Sequence, residues 1–163
     1  MSGIHGLVIL RRSMYQSMQT TEAKKYINVV ACVFKKNDKV LIASRPKMKT
    51  FSGFFEFPGG KVEEREYLIE ALDREIFEEL GISLDFNKVY YLSNYKILNH
   101  NISLHFFLCL SWFGKIKNKE RQVLKWVSPK ELKNYNLLRS NSDFISFLND
   151  FIFPTTHRNY ITT

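Results

Sequence analysis

Apolar residues along the chain recur at the spacing of β-strands before and after one helical segment. Residues 27–34 and 40–44 are rich in β-branched side chains, and the polar residues 35–39 between them are typical of a tight turn. We therefore expect a β-hairpin near the start of the chain. The same criteria predict further strands at 89–95, 102–112 and 123–127.

Residues 67–80 carry the clearest helical period. Gly81 follows them at the position where a left-handed C-terminal cap is expected. The apolar residues that recur at helical spacing are Leu68, Ile69, Leu72, Ile76 and Leu80. The segment is therefore predicted to be an amphipathic helix with its apolar stripe on the core.

The remaining segments complete a mixed α/β pattern. After the short aromatic stretch 51–57, Pro58-Gly59-Gly60 predicts a loop. Ser128-Pro129 has the composition of a helix start, with serine as N-cap and proline at the first helical position. Residues 144–151 predict a last amphipathic helix. This order of elements predicts an α/β fold with a mixed sheet and helices on both of its faces.

The polar face of the helix predicted at 67–80 carries a concentration of negative charge. Glu75, Glu78 and Glu79 fall at i, i+3 and i+4, which places their carboxylates on one helical face. Like charges at these spacings destabilise a helix by about 0.2–0.5 kcal/mol per pair, so the cluster calls for a reason. Oxygen ligands suit Mg²⁺ or Mn²⁺, and a metal site would supply that reason. The alternative is a solvated acidic face.

Residues that flank the acidic cluster fit the same chemistry. The Pro58-Gly59-Gly60 loop lets backbone approach a metal and frees a carbonyl for it. Arg74 is placed to hold one carboxylate through a charge-assisted hydrogen bond. Glu66 falls at or just before the first helical turn, where the helix dipole favours an acid. A metal held here would neutralise phosphate charge and activate water.

Composition narrows the classes of partner. The net charge of +8 favours anionic partners, although a lysine-rich source composition is an alternative explanation. No apolar run approaches the ~20 residues that span a bilayer, so we expect no membrane partner.

Cys32 and Cys109 lie in apolar runs and are predicted to be buried free thiols in a reducing compartment, with a disulfide as the alternative. The histidines show no metal-ligand spacing and are expected to be structural or surface residues: His5, His100, His105 and His157.

The length of 163 residues suits one domain, which we expect to span residues 26–153. Residues 1–25 are interpreted as a loose N-terminal extension, with a possible true start at Met14 or Met18 and a docking segment as the alternative. Residues 154–163 are interpreted as a frayed C-terminal tail.

The segment from Gly60 to Ile82 resembles the Nudix signature. The positions that match are Gly60, Glu66, Arg74, Glu75, Ile76, Glu78, Glu79, Gly81 and Ile82. The resemblance implies a Nudix-type α/β/α sandwich with a mixed β-sheet, and hydrolysis of a nucleoside diphosphate linked to another group with Mg²⁺ or Mn²⁺. It also implies that Glu75, Glu78 and Glu79 hold the metal together with the Gly59 carbonyl, that Arg74 orients Glu75, and that Gly60, Glu66 and Gly81 support the loop and the helix.

Residues 56–63 resemble the Glu-Phe-Pro-Gly-Gly-Lys segment of MutT-type enzymes, which remove pyrophosphate from oxidised guanine nucleotides such as 8-oxo-dGTP. This likeness implies that Arg45, Glu56 and Phe57 contact the substrate.

Two later positions extend the likeness. Glu120 matches a MutT glutamate that serves as an extra metal ligand or as a base, and either Glu75 or Glu120 is expected to be the general base. Asn141 falls where a MutT asparagine reads the purine edge, and a helix N-cap before residues 144–151 is the alternative role.

We therefore expect a cytoplasmic enzyme that hydrolyses 8-oxo-dGTP, or another oxidised purine nucleotide, to the monophosphate and pyrophosphate. Its expected partners are the nucleoside triphosphate and water, without a stable nucleic-acid complex, and its expected state is a monomer or weak homodimer. Other Nudix specificities are alternatives: CTP, dinucleoside polyphosphates and nucleotide sugars. A non-catalytic nucleotide-sensing or RNA-binding module would usually lack a signature glutamate, and all are present here. A DNA glycosylase recognition domain is disfavoured, because the chain has no room for a glycosylase domain.

Overall fold

The computed structural model describes residues 26–45, 52–138, 141, 144–145, 148 and 152–153. The predicted N-terminal extension (1–25) and C-terminal tail (154–163) lie outside them. The described strands and helix are β1 (Ile27–Lys36), β2 (Lys39–Ser44), β3 (Phe55–Glu56), β4 (Gly59–Lys61), α1 (Leu68–Leu80), β5 (Ser83–Leu84), β6 (Val89–Ile97), β7 (Ile102–Cys109), β8 (Trp112–Phe113) and β9 (Leu124–Val127).

β1 lies at the centre of the main sheet. It runs parallel to β7, from the Ile27–Ile102 pair to the Phe34–Cys109 pair, and β6 lies antiparallel on the far side of β7. On its other edge β1 pairs antiparallel with β4 and, at its end, with β2, which in turn pairs with β3 and β9. The sheet is therefore mixed, and the predicted hairpin is confirmed.

Each face of the sheet carries its own hydrophobic core. Alternate side chains of β1 enter the two cores, so that Cys32 faces α1 and Val33 faces away from it. On the α1 face they pack with Leu68, Leu72, Ile76, Leu80 and Phe107. On the opposite face they pack with Phe57, Phe106, Leu132, Leu137, Phe144 and Leu148. Burial on both faces accounts for the nearly continuous apolar sequence of β1.

The helix α1 begins and ends as the sequence predicted, to within one residue. The Tyr67 N–H at its start donates to the Glu70 carboxylate at 3.1 Å. At its end Gly81 has φ 65°, and its N–H donates to the Phe77 carbonyl at 3.0 Å. Within the described residues no helix is long and apolar enough to cross a membrane.

Three predicted elements are wrong, the first two because long-range strand pairing overrides the local sequence. Gly59–Lys61 is a strand paired with β1 rather than a loop. The predicted strand 102–112 is divided, because the chain leaves β7 after Cys109 and returns as β8 to pair with β5. The segment from Ser128 forms turns and a 3₁₀-helix at Leu132–Asn134 instead of an α-helix. Of the helix predicted at 144–151, residues 146–147 and 149–151 lie outside the described part of the chain.

Cys32, Cys109 and His105 occupy buried positions, whereas His100 is exposed. Cys32 and Cys109 are buried and free, as predicted. His105 is 5% exposed, and its ring nitrogens contact Ser103 Oγ at 3.1 Å, Asn28 Oδ1 at 3.2 Å and Tyr91 Oη at 3.3 Å. Burial lowers the pKa of His105 to about 4, so the ring is neutral at pH 7.

Candidate active site

The pairing of β4 with β1 places two glycines directly beside α1. A Cβ on Gly60 would lie 2.3 Å from the Glu75 carboxylate, so Gly60 leaves the space that this carboxylate occupies. A Cβ on Gly59 would lie 2.1 Å from the Val30 carbonyl oxygen of β1. The two glycines therefore allow α1 and β1 to approach β4 from different sides.

Arg74 joins the helix to the preceding loop. Its guanidinium donates to both oxygens of Glu66 at 2.8 and 2.9 Å, to Glu75 Oε1 at 2.9 Å and to the Lys61 carbonyl at 2.9 Å. Glu78 Oε2 lies 3.6 Å away. The hydrogen bonds from Arg74 lower the pKa of Glu66, and those to Glu66 raise the pKa of Arg74. Arg74 is thus an ionised anchor for two carboxylates.

Glu79 is the buried acid of the cluster. Its side chain accepts the Gly59 N–H at 3.2 Å, and the residue is only 7% exposed. Burial, together with the charges of Glu120, Glu56 and Glu75, raises the pKa of Glu79 to about 8, against the opposing effect of the Gly59 hydrogen bond. Glu56, Glu75 and Glu120, which come from three parts of the chain, therefore lie close enough to Glu79 for their charges to act on it.

Glu120 reaches the cluster because its loop is attached to the end of α1. The Leu80 carbonyl accepts the Lys117 N–H at 2.8 Å, and the Glu79 carbonyl accepts the Lys119 N–H at 3.1 Å. These bonds use carbonyls that have no partner inside the helix. Likeness to MutT pointed to Glu120, but the attachment of its loop to α1 was not predicted.

The residues expected to contact the nucleotide form two linked pairs. Arg45 donates to both oxygens of Glu56 at 2.7 and 2.9 Å. Asn141, only 4% exposed, accepts the Phe57 N–H on Oδ1 at 3.0 Å. The Asn141 carbonyl accepts the Phe144 N–H at 3.2 Å, so its backbone also begins a turn. The structure therefore brings Arg45, Glu56, Phe57 and Asn141 to the same region of the sheet as Gly59.

The donor set fits a hard divalent cation. Within the described residues no three carboxylate, imidazole or thiol groups already enclose a metal position. Arg74 holds two of the candidate carboxylates on its guanidinium, Glu75 at 2.9 Å and Glu78 at 3.6 Å. All the candidate ligands are oxygens, and a cation would offset the burial and the neighbouring negative charges that raise the pKa of Glu79.

Two features of the site were missed at the level of sequence. Arg74 also donates to the backbone carbonyl of Lys61, a contact that a motif of side chains does not predict. The side chain of Asn118 bonds to the backbone of Gln122 and closes the loop that carries Glu120. An asparagine in a polar segment is a turn signal, and it was available in the sequence.

Comparisons with known proteins agree with this arrangement. The NUDIX domain family matches residues 24–148. The 8-oxo-dGTP diphosphatase of Buchnera aphidicola subsp. Schizaphis graminum (strain Sg) is 36% identical over 129 residues, which are 79% of this chain and 98% of that protein. The CTP pyrophosphohydrolase of Escherichia coli (strain K12) is 36% identical over 113 residues, or 69% of this chain and 84% of that protein.

A solved structure shows the same fold. The solution structure of the E. coli ORF135 protein matches with a TM-score of 0.68 and 32% identity, covering 80% of this chain and 95% of that one. The α/β fold with a mixed sheet is confirmed. The chain therefore belongs to the Nudix hydrolase family and is similar to its MutT-type members.

Proposed function

We propose that this Nudix hydrolase is a metal-dependent nucleoside triphosphate pyrophosphohydrolase that acts on 8-oxo-dGTP or a related oxidised purine nucleotide. Its role would be to remove damaged nucleotides from the pool. The observation that carries the proposal is the convergence of Glu56, Glu75 and Glu120 on the buried Glu79, which accepts the N–H of Gly59 beside Glu75 and Gly60.

The metal ligands in this proposal are Glu75, Glu78, Glu79 and Glu120 with the Gly59 carbonyl. A bound Mg²⁺ or Mn²⁺ would neutralise phosphate charge and make a water molecule more acidic. The buried carboxyl of Glu79 would lose its proton as the cation enters, because a positive charge favours the anion.

The chain supplies the base for the hydrolytic step. Water oxygen would attack a phosphorus of the nucleoside triphosphate, the bond from that phosphorus to the bridging oxygen between the monophosphate and pyrophosphate parts would break, and the water proton would pass to a glutamate. Glu75 and Glu120 are the two candidates: Arg74 orients Glu75 at 2.9 Å, and Glu120 is exposed at the tip of its loop. The pH dependence of the rate is measured in Glu75→Gln and Glu120→Gln. The variant whose profile loses its acidic limb identifies the general base.

We assign recognition of the purine base of the nucleotide to Asn141 and its neighbours. An amide offers a donor and an acceptor together, and a site built around such a pair penalises a base that leaves it unmatched. The hydrogen bond between Asn141 and the Phe57 N–H fixes the orientation of this amide. The name of the Buchnera relative supports 8-oxo-dGTP as the first substrate to test.

CTP is the second candidate substrate, and the E. coli relative that carries this activity in its name supports it at the same 36% identity. A free nucleotide substrate and the free thiols of Cys32 and Cys109 favour a cytoplasmic location. We expect a monomer or weak homodimer, with no stable nucleic-acid complex and no membrane partner.

A substrate panel tests the proposal. Wild-type protein is assayed with 8-oxo-dGTP, dGTP and CTP, each with Mg²⁺, Mn²⁺ or a chelator, and kcat/KM is compared. We expect metal-dependent release of pyrophosphate and a preference for 8-oxo-dGTP over dGTP of about tenfold or more. A kcat/KM for CTP larger than that for 8-oxo-dGTP would make CTP the assigned substrate. If none of the three nucleotides is hydrolysed, the proposed function is wrong.

A further inference from the structure

Glu120 stands in a tight loop that one side chain closes. Asn118 Oδ1 accepts the Gln122 N–H at 2.8 Å, and the Asn118 amide nitrogen donates to the Gln122 carbonyl. Arg121 lies between them with φ 56°, in the left-handed region. Gln122 is buried, and its side-chain amide lies 3.5 Å from Glu120 Oε2. Asn118 thus sets the curvature of the segment from which the Glu120 side chain projects.

The same loop is fastened to the last turn of α1 by Lys119. Its backbone N–H donates to the Glu79 carbonyl at 3.1 Å, and its ammonium donates to the Phe77 carbonyl at 3.2 Å. The ammonium also lies 4.8 Å from the centre of the Phe77 ring, within the range of a cation–π contact. Because the Lys119 side chain contacts both the backbone carbonyl and the ring of Phe77, it restricts the loop in two directions.

The charge pattern of α1 is a second reason why Lys119 is favoured at the end of this helix. The last turn contains Glu78 and Glu79 and, within this fully described helix, no basic residue. The negative end of a helix dipole favours cations, so two acids there are unfavourable. Lys119 supplies the missing cation from another element. A Cβ on Gly81 would lie 3.2 Å from Lys119 Cδ, so Gly81 leaves room for the lysine stem.

We propose that Asn118 and Lys119 are positioning residues that hold Glu120 against the carboxylate cluster of α1. The inference rests on the role given to Glu120 in the proposed function. The contacts of the Asn118 and Lys119 side chains described above are with the loop and with α1, and they do not involve Arg45, Glu56 or Asn141. Their loss should therefore lower the rate of the chemical step and leave nucleotide affinity nearly unchanged.

The test uses the full chain with 8-oxo-dGTP and CTP as substrates at saturating Mg²⁺. The variants are Asn118→Ala, Lys119→Ala, the conservative Lys119→Arg and Glu120→Gln, and Lys115→Ala is the control that removes a nearby exposed lysine. We expect kcat to fall about three- to tenfold in Asn118→Ala and Lys119→Ala, with KM changed by less than about twofold. Lys119→Arg should recover most of the rate, and Lys115→Ala should match the wild type.

A second readout does not depend on activity. Amide hydrogen exchange in the metal-free protein reports directly on the Lys117 and Lys119 N–H groups that bond to α1. Exchange at these amides should be faster in Asn118→Ala and Lys119→Ala than in Lys119→Arg or Lys115→Ala.

The outcomes separate the two proposals. A strong loss of kcat in Glu120→Gln, with Asn118→Ala and Lys119→Ala equal to Lys115→Ala in rate and exchange, would overturn the positioning inference alone. Full activity of Glu120→Gln would overturn the role of Glu120 and the inference with it. A wild type inactive on both substrates would count against the proposed function. In that case, unchanged hydrogen exchange in Asn118→Ala and Lys119→Ala would also overturn the inference that these residues hold the Glu120 loop on α1.

Discussion

The adjacent glycines of β4 have different physical tasks. Gly59 has φ 147° and meets the backbone of β1, which cannot move without disturbing the sheet. Gly60 meets the end of the flexible Glu75 side chain, which can move at little cost in stability. The absence of a side chain is therefore required by the fold at Gly59 and by the site at Gly60, although the Gly59 backbone also takes part in the site.

Alanine at each glycine should separate these tasks. Gly59→Ala should lower the free energy of unfolding by about 2–4 kcal/mol, because a Cβ there combines an unfavourable φ with a backbone clash. Gly60→Ala should change stability by less than about 1 kcal/mol but lower kcat/KM at least tenfold, by displacing Glu75. Urea unfolding and nucleotide hydrolysis measure the two effects. Equal losses of stability in both variants would contradict this assignment.

Asn141 can be tested for recognition apart from its structural bond. Asn141→Ala leaves the Phe57 N–H without this acceptor and should cost about 1–3 kcal/mol of stability. It should also reduce the kcat/KM ratio of 8-oxo-dGTP to dGTP by about tenfold or more. Asn136→Ala, at an exposed asparagine, is the control. An unchanged ratio in Asn141→Ala would leave Asn141 with a structural role only.

Side-chain contacts were predictable where they are local. Glu66, Arg74 and Glu75 lie on or beside one helix, so their spacing alone predicted that Arg74 would meet a carboxylate. The bond between Asn141 and Phe57 spans 84 residues of sequence and depends on the packing of the whole sheet. Family likeness pointed to both residues, but their hydrogen bond could not be read from their positions in the chain.

At the scale of elements, α1 concentrates acids at an end where the helix dipole disfavours them. Its apolar stripe predicted its limits, since the helix buries that stripe against β1 and β7. The strand β4 could not be predicted in the same way. Its glycines are typical of a loop, and the pairing with β1 that makes them a strand is a long-range contact.

The acid cluster of α1 makes the stability of the metal-free protein depend on pH. Glu79 has a folded pKa of about 8 and an ordinary value of 4.5, so the folded state holds the proton more tightly. Stability from this group is complete below pH 4.5 and is lost as pH rises towards 8. Glu79→Gln removes the ionisation and should be more stable than wild type by about 2–4 kcal/mol at pH 8, with little difference at pH 4.5.

Chemical unfolding in the presence of a chelator, at pH 5 and pH 8, measures this difference. The exposed Glu64→Gln is the matched control and should follow the wild type. Added Mg²⁺ should stabilise the wild type at pH 8 more than Glu79→Gln, because a ligand that binds the folded state stabilises it. A Glu79→Gln variant no more stable than wild type at pH 8 would contradict the raised pKa that burial and the neighbouring carboxylates give Glu79.

At the scale of the whole molecule, one sheet brings together residues that lie far apart in the chain. α1, β4 and the loop that carries Glu120 meet on one side, and the residues around Phe57 and Asn141 meet next to β3. The protein carries a net charge of +8, while this region concentrates four interacting carboxylates. The net positive charge of the chain favours a polyphosphate as partner, and a bound cation would offset the repulsion between that polyphosphate and the carboxylates.

The most direct test of this account is the rate of pyrophosphate release from 8-oxo-dGTP by wild type and Glu78→Gln, with Mg²⁺ and with a chelator. The Glu78 side chain is 55% exposed, so its substitution should leave the unfolding midpoint unchanged. We predict Mg²⁺-dependent turnover by the wild type and a loss of about 100-fold or more in Glu78→Gln. Full activity of a correctly folded Glu78→Gln protein, or equal turnover by the wild type in the chelator, would contradict the claim that the acids of α1 hold a catalytic metal.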